Sequence, residues 1–147
     1  MTSLKTMLLP DADAPERVAV SSLPDGRWLI TDIPCYSARF GFLDVVLATE
    51  DSKTGLIADL IVESSDWSTY GIVLRASDSS SIGSALVLLE KIGCSIMTRP
   101  AASGGLYISV AVPPRAIEEA EKLLEDGHAR GLWLAGPVLS RSLVAST

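Results

Sequence analysis

The sequence predicts an α+β protein in which a small antiparallel β-barrel-like N-terminal lobe, residues 16–65, precedes a ferredoxin-like βαββαβ lobe, residues 66–139. Four short apolar or β-branched runs separated by turn residues predict the first lobe. Two runs with helical periodicity, set among strand-like runs, predict the second. With 48% hydrophobic residues, the 147-residue chain can bury a substantial core. We expect an irregular leader at residues 1–15 and a flexible tail at residues 140–147.

Two hairpins account for the N-terminal lobe. The first joins strands at Arg17–Leu23 and Arg27–Ile33 through Pro24-Asp25-Gly26, in which proline presets the turn and glycine tolerates positive φ. The second joins Asp44–Thr49 and Leu56–Glu63 through a polar turn. Because four short strands hardly suffice for an open sheet, we expect them to curl into a small barrel or to pack against the second lobe.

The second lobe begins with a buried strand at Tyr70–Ala76, followed by a helix from about Ser80 to Ile92. Apolar residues recur in this helix every three or four positions, and Gly93 ends it. Cys94–Arg99 and Leu106–Val112 then form a third hairpin.

A second helix and a last strand complete this lobe. Pro113-Pro114 opens the helix, Gly127 ends it, and the strand follows at Leu132–Leu134. One face of the helix is strongly charged, as is typical of a face turned to solvent. That face consists of Glu118, Glu119, Glu121, Lys122 and Glu125.

Charge and hydropathy limit the partners that we expect. The net charge of −6 and the 12 scattered lysines and arginines argue against nucleic acid, because phosphate binding needs a clustered basic face. No apolar run approaches the roughly 18 residues of a membrane span, so no membrane association is expected. The first 15 residues do not resemble a signal peptide, which favours a cytoplasmic protein.

The sequence predicts neither a metal nor a cofactor. Cys35, Cys94 and the single histidine, His128, lack the spacing of zinc ligands. We find no phosphate-binding glycine loop, dinucleotide fingerprint or nucleophile elbow.

Three residues are candidates for proton handling. His128 has the one side chain type that titrates near neutrality, although a structural role at the end of the helix is the alternative. Cys35 is a candidate because Arg39, four residues later in the sequence, could lower the pKa of its thiol. The alternative is that Cys35 is only a small buried hydrophobic residue. Asp66 lies in the segment that joins the lobes.

That joint is also the predicted ligand site, because clefts between lobes with aromatic walls and a few polar groups favour binding. The alternative is that Trp67 only seals the joint. The predicted ligand-binding residues are Trp67, Ser68, Thr69, Tyr70, Tyr36, Trp133 and Arg39.

Several short segments, taken together, resemble a bacterial family known as domain of unknown function 4265, from about Arg17 to Trp133. They are Gly26-Arg27, Asp32-Ile33-Pro34, Asp44-Val45-Val46, Ser68-Thr69-Tyr70, Ile92-Gly93-Cys94, Val112-Pro113-Pro114 and the ending Gly131-Leu132-Trp133. In that family a histidine, an arginine and an acidic cluster often occupy the places that Trp67, Gly71 and Leu134-Ala135-Gly136 hold here. The resemblance implies the two-part fold and a divergent member. The replaced polar groups imply either that the family's site has been lost or that the pocket of this member accepts a more apolar molecule.

The leading hypothesis is a cofactor-independent pocket protein that binds a small, largely apolar organic molecule. In this hypothesis the protein could act on that molecule as an isomerase or cyclase of specialised metabolism. The alternative is a non-catalytic immunity-type or regulatory module that binds a basic partner protein through its acidic helix. A third interpretation is a homodimer with a structural role.

Overall fold

The computed structural model describes residues 5–11, 15–75, 79–100 and 106–141. Within these ranges the protein is a mixed α+β fold of nine strands and two α-helices, with two short 3-10 turns. The strands form two sheets, a closed five-stranded barrel and a four-stranded sheet that carries both helices on one face.

The barrel contains the first five strands, each pairing with the next along the chain. Its core consists of Met7, Leu9, Val18, Val20, Ile30, Phe40, Val46 and Ala58. The prediction of a small barrel is therefore confirmed. The strands are β1 (Lys5–Leu9), β2 (Glu16–Ser22), β3 (Trp28–Ile30), β4 (Val45–Asp51) and β5 (Gly55–Glu63).

The prediction of an irregular leader is wrong for residues 5–9, which form β1. This strand pairs antiparallel with β2 and parallel with β5, where Met7 lies opposite Leu56, and so closes the barrel. Met7 and Leu9 are fully buried, following the two-residue period of a strand. Pro10 and Asp11 end the strand. The acidic, proline-containing composition around them is typical of irregular structure, which is why the sequence did not predict the strand.

The turn predicted between β2 and β3 is present. Asp25 and Gly26 both have positive φ, and the Leu23 amide donates to the Arg27 carbonyl across the turn. This confirms the turn prediction, including the role of Gly26.

The second sheet has the chain order β-α-β-β-α-β that the sequence predicts. Its strand order is β7-β8-β6-β9, and every neighbouring pair is antiparallel. The last strand is longer than predicted. The elements are β6 (Ser68–Leu74), α1 (Ser79–Lys91), β7 (Ser95–Pro100), β8 (Leu106–Val112), α2 (Ile117–Ala129) and β9 (Trp133–Leu139).

The two faces of this sheet have different coverings. Tyr70, Ile72 and Val110 point toward the helices and belong to the larger core. On the other face, Ser109 contacts Cys35 in the loop that joins β3 to β4. Because Ser109 and Cys35 are both small, the barrel can approach the sheet closely at this contact.

No helix within the described ranges is long and apolar enough to cross a membrane.

Candidate functional site

A cavity of about 300 Å³ lies between α2 and β9. It is at the small end of the size range of ligand pockets. Its lining combines an apolar floor with two carboxylates, an imidazole and a phenol. The lining residues are Tyr70, Glu121, Leu124, Glu125, His128, Ala135, Gly136 and Pro137. We call this cavity the α2–β9 groove.

Helical spacing and side-chain size together produce the groove. Positions 121, 124, 125 and 128 share one face of α2, since residues three, four and seven apart are neighbours on a helix. Opposite them, β9 carries Ala135 and Gly136, which leave space beneath the helix. Two residues earlier in β9, the large ring of Trp133 packs against Gly127 and fills the corresponding space.

Tyr70 and Glu121 form a hydrogen-bonded pair in the wall of the groove. The Tyr70 hydroxyl donates to Glu121 Oε2 at 2.9 Å, and the tyrosine is only 4% exposed. Burial above all, and then the hydrogen bond to Glu121, raise the pKa of Tyr70 well beyond its usual range. The phenol therefore stays protonated and acts as a donor.

His128 faces the same groove with one ring nitrogen engaged. Its Nδ1 lies 3.3 Å from the Trp133 carbonyl oxygen. Since a carbonyl only accepts, the neutral ring carries its proton on Nδ1, and Nε2 then has a free lone pair. Backbone geometry thus favours the tautomer in which Nε2 can accept a proton.

Cys35, the candidate nucleophile, lies away from the groove at the contact between barrel and sheet. Its sulfur accepts a hydrogen bond from Ser109 Oγ at 3.3 Å, and its carbonyl accepts one from the Tyr107 hydroxyl at 3.2 Å. Burial is the main cause of the raised pKa of this thiol. Arg39, expected to activate it, instead donates to the Asp59 carbonyl. Packing is thus the role that these contacts support for Cys35.

The thiols of the folded protein should react slowly with a disulfide reagent. Burial raises the pKa of Cys94 to about 11 and shifts that of Cys35 in the same direction. Each unit of pKa lowers the thiolate fraction about tenfold, so Cys94 should react at least about tenfold more slowly in the folded chain than in the unfolded chain, and Cys35 should also be slowed. Labelling of the single-cysteine variants C35S and C94S separates the two thiols. Fast labelling of Cys35 in the folded C94S variant would restore it as a nucleophile.

The segment joining the lobes is occupied by internal contacts. Exposed Asp66 accepts from Ser64 Oγ at 3.0 Å, and Trp67 packs edge-on against Phe42, with ring centroids 5.1 Å apart. Ser68 Oγ accepts from the Arg141 amide. Thr69 is buried, and its hydroxyl has no hydrogen-bond partner among the residues that the structure describes.

The remaining predicted residues are also dispersed. Tyr36 is 53% exposed and packs against Tyr107, with ring centroids 5.8 Å apart. Arg39 lies over the Phe40 ring, and Trp133 is buried in the helix-side core. Of the ten predicted site residues, the structure brings together Tyr70 and His128 in the groove.

Two interactions were missed by sequence reasoning. Glu121 and Glu125 are exposed, as the charged face of the predicted helix indicates, and they also line the groove, which the sequence did not indicate. A buried ion pair also joins Asp44 to Arg141, at 2.7 Å from each guanidinium nitrogen to a carboxylate oxygen. Arg141 lies in the predicted flexible tail, and the prediction is wrong at this residue, because its side chain is fixed in the joint.

The barrel, the helix-backed sheet and the groove define a two-sheet α+β protein with a small surface groove of mixed polar and apolar lining. The chain belongs to the family described as "Domain of unknown function (DUF4265)", which matches residues 16–135. The resemblance seen in the sequence is thereby confirmed.

Among solved structures, the chain is similar to a hypothetical protein from Neisseria gonorrhoeae, with a TM-score of 0.71 and 22% sequence identity. The similarity covers 95% of each chain. At this level of identity it shows a shared fold. No curated protein matches the chain in sequence.

Proposed function

We propose that this protein is a cofactor-independent small-molecule-binding protein, and that the α2–β9 groove is its ligand site. The convergence of Tyr70, Glu121, Glu125 and His128 over an apolar floor is the observation that supports this proposal. Concave sites with an apolar lining and a few convergent polar groups are typical of ligand pockets. The groove replaces the joint between the lobes as the proposed location.

Proton transfer is the chemistry that such a groove can support. His128 Nε2 can accept a proton, and the Tyr70 hydroxyl, whose proton is given to Glu121, holds that carboxylate in position beside the groove. An isomerisation or cyclisation needs positioning and one or two acid and base groups, which makes these the reactions that we propose for a bound, largely apolar substrate.

We also propose that the second lobe is ferredoxin-like. The order β7-β8-β6-β9, with both helices on one face, supports this description. Because that fold serves many unrelated tasks, the argument for function depends on the groove alone.

Filling the groove should abolish ligand binding. In the Ala135→Phe variant a phenyl ring would be added to the lining of the groove, at an exposed position of β9. A library of small organic fragments, screened by amide chemical shifts of the isotopically labelled chain, should include binders that shift Leu124 and Gly136. These shifts should disappear in Ala135→Phe. The matched control is Ala129→Phe, an exposed position outside the lining, which should bind as the natural chain does.

Two results would count against the groove. One is a set of fragments that shift residues at the joint, such as Trp67 and Tyr36, and leave Gly136 unchanged. The other is a set of binders that Ala135→Phe and Ala129→Phe retain equally.

The alternative function, binding of a basic partner protein, is favoured by one observation. Glu118, Glu119 and Asp126 are exposed on α2, next to the carboxylates of the groove. Clustered negative charge speeds association with a positively charged protein. Reversing Glu118 and Glu119 to lysine would remove such binding without entering the groove, which separates this function from small-molecule binding.

A further inference from the structure

We infer that the molecule bound in the α2–β9 groove is a small organic amine in its protonated, ammonium form. This inference rests on the proposed function and adds a ligand class to it. It is argued from the charge of the lining, from the count of hydrogen-bond donors and acceptors, and from the dimensions of the cavity.

The charge of the lining favours a cation. The eight lining residues include two carboxylates, Glu121 and Glu125, and neither lysine nor arginine. Within the described ranges the Glu125 carboxylate forms no ion pair and no hydrogen bond, so a ligand would not have to displace a protein partner from it. A carboxylate or phosphate ligand would meet like charge here, whereas an ammonium group would meet opposite charge.

The hydrogen-bond donors and acceptors that the groove leaves to a ligand also favour an ammonium group. The one hydroxyl proton of Tyr70 is already given to Glu121 Oε2, and the Nδ1 proton of neutral His128 is directed to the Trp133 carbonyl. The polar atoms left to a ligand are therefore chiefly acceptors: the second oxygen of Glu121, both oxygens of Glu125 and His128 Nε2. An ammonium group offers three donors and no acceptor, so it complements this set. A ligand rich in carbonyl groups would find few free donors.

The apolar floor defines the rest of the ligand. Leu124, Ala135 and Pro137 supply hydrocarbon surface beside the carboxylates. A volume of about 300 Å³ accommodates a compact body such as a branched alkyl chain or one ring. The inferred ligand is thus an amine with a short apolar body.

Matched pairs of amines and alcohols test the inference. The probes are benzylamine, phenethylamine and isoamylamine, each compared with the alcohol of the same skeleton at neutral pH. Titrations of the full chain, followed by the amide shifts of Leu124, Ala135 and Gly136, should show each amine binding at least about tenfold more tightly than its alcohol. A charge-assisted hydrogen bond is worth that factor or more.

Charge-neutralising variants show which carboxylates cause any preference for amines over alcohols. The double variant Glu121→Gln and Glu125→Gln retains an acceptor for Tyr70 and should lose about tenfold in amine affinity, with alcohol affinity unchanged. The matched control, Glu118→Gln with Glu119→Gln, removes the same charge from the same helix outside the lining and should change amine affinity by less than about threefold. Melting temperatures of both variants show whether they are folded.

Each other outcome has a definite consequence. If alcohols shift the groove resonances at the same concentrations as amines, the ligand class is overturned and the proposed function stands. If no probe of either kind shifts them, both proposals fall. If the control variant loses as much amine affinity as the groove variant, general surface charge explains the preference, and the inference is overturned.

Discussion

Replacing Arg141 with methionine should lower the free energy of unfolding by about 3–5 kcal/mol, as breaking one side of a buried ion pair does. Asp44 is fully buried, and the side chain of Arg141 is 12% exposed. Both guanidinium nitrogens contact the Asp44 carboxylate at 2.7 Å, in the two-point geometry that only arginine provides. Without arginine the carboxylate would remain buried with no cation beside it. Urea denaturation of the variant and of the natural chain measures the change.

The position of this pair explains why the effect should reach the whole protein. The Asp44 carboxylate also accepts from the backbone amides of Gly41, in the loop after β3, and Ser65, in the segment joining the lobes. Arg141 donates from its guanidinium to the Arg39 carbonyl and from its backbone amide to Ser68. One ion pair therefore fixes the barrel loop, the joint and the end of β9 together.

Arg130→Met is the matched control, because Arg130 pairs with Asp126 at 3.4 Å on the exposed face of α2. An exposed pair of this kind is worth less than about 1 kcal/mol. Arg141→Lys should be intermediate, since it retains the charge without the two-point geometry. Equal, small losses for Arg141→Met and Arg130→Met would show that the buried pair does not hold the lobes together.

Much of the fold could be predicted because its signals are local. Apolar periodicity was sufficient to predict both helices, with the first ending before Gly93, and turn composition was sufficient for the hairpins. The stop predicted at Gly127 is wrong, because α2 continues to Ala129 and the glycine with positive φ is Gly131. β1 was missed because its two inward residues are too few for a periodic pattern, although β2, with which it pairs over its whole length, follows it in the chain. Its second partner, β5, is distant in sequence. Closure of the barrel is a long-range property that no local signal carries.

The site was less predictable than the fold because it, too, depends on contacts between residues that are distant in sequence. Ionisable residues such as His128 could be named from their chemistry alone. Their grouping depends on which strand lies under α2, and Glu121 gains a partner only when β6 brings Tyr70 beneath the helix. The Asp44 carboxylate accepts from the nearby Gly41 amide, but its pairing with Arg141 spans 97 positions. Contacts at such a separation are set by the tertiary fold.

Replacing Gly127 with alanine should destabilise the protein by about 2 kcal/mol or more, although alanine is intrinsically the better helix former by about 1 kcal/mol. A Cβ atom at position 127 would lie 2.2 Å from two carbons of the Trp133 ring. That ring is 1% exposed, and its Nε1 donates to the Leu124 carbonyl at 2.9 Å, so it has little freedom to move. The indole would have to leave its place, or α2 would have to shift away from β9. Thermal and urea denaturation measure the loss.

Gly83→Ala provides the matched control, because Gly83 lies within α1 and an added Cβ would meet no described atom within 4 Å apart from the local helix backbone. The same substitution there should stabilise the protein by up to about 1 kcal/mol through helix propensity alone. Replacing the Trp133 ring with a smaller side chain should relieve part of the overlap with a Cβ atom at position 127. The double variant Gly127→Ala and Trp133→Leu should therefore lose less stability than the sum of the two single variants. If Gly127→Ala were as stabilising as Gly83→Ala, the close contact between α2 and Trp133 would not exist in solution. The groove would then not be the space left beside that contact.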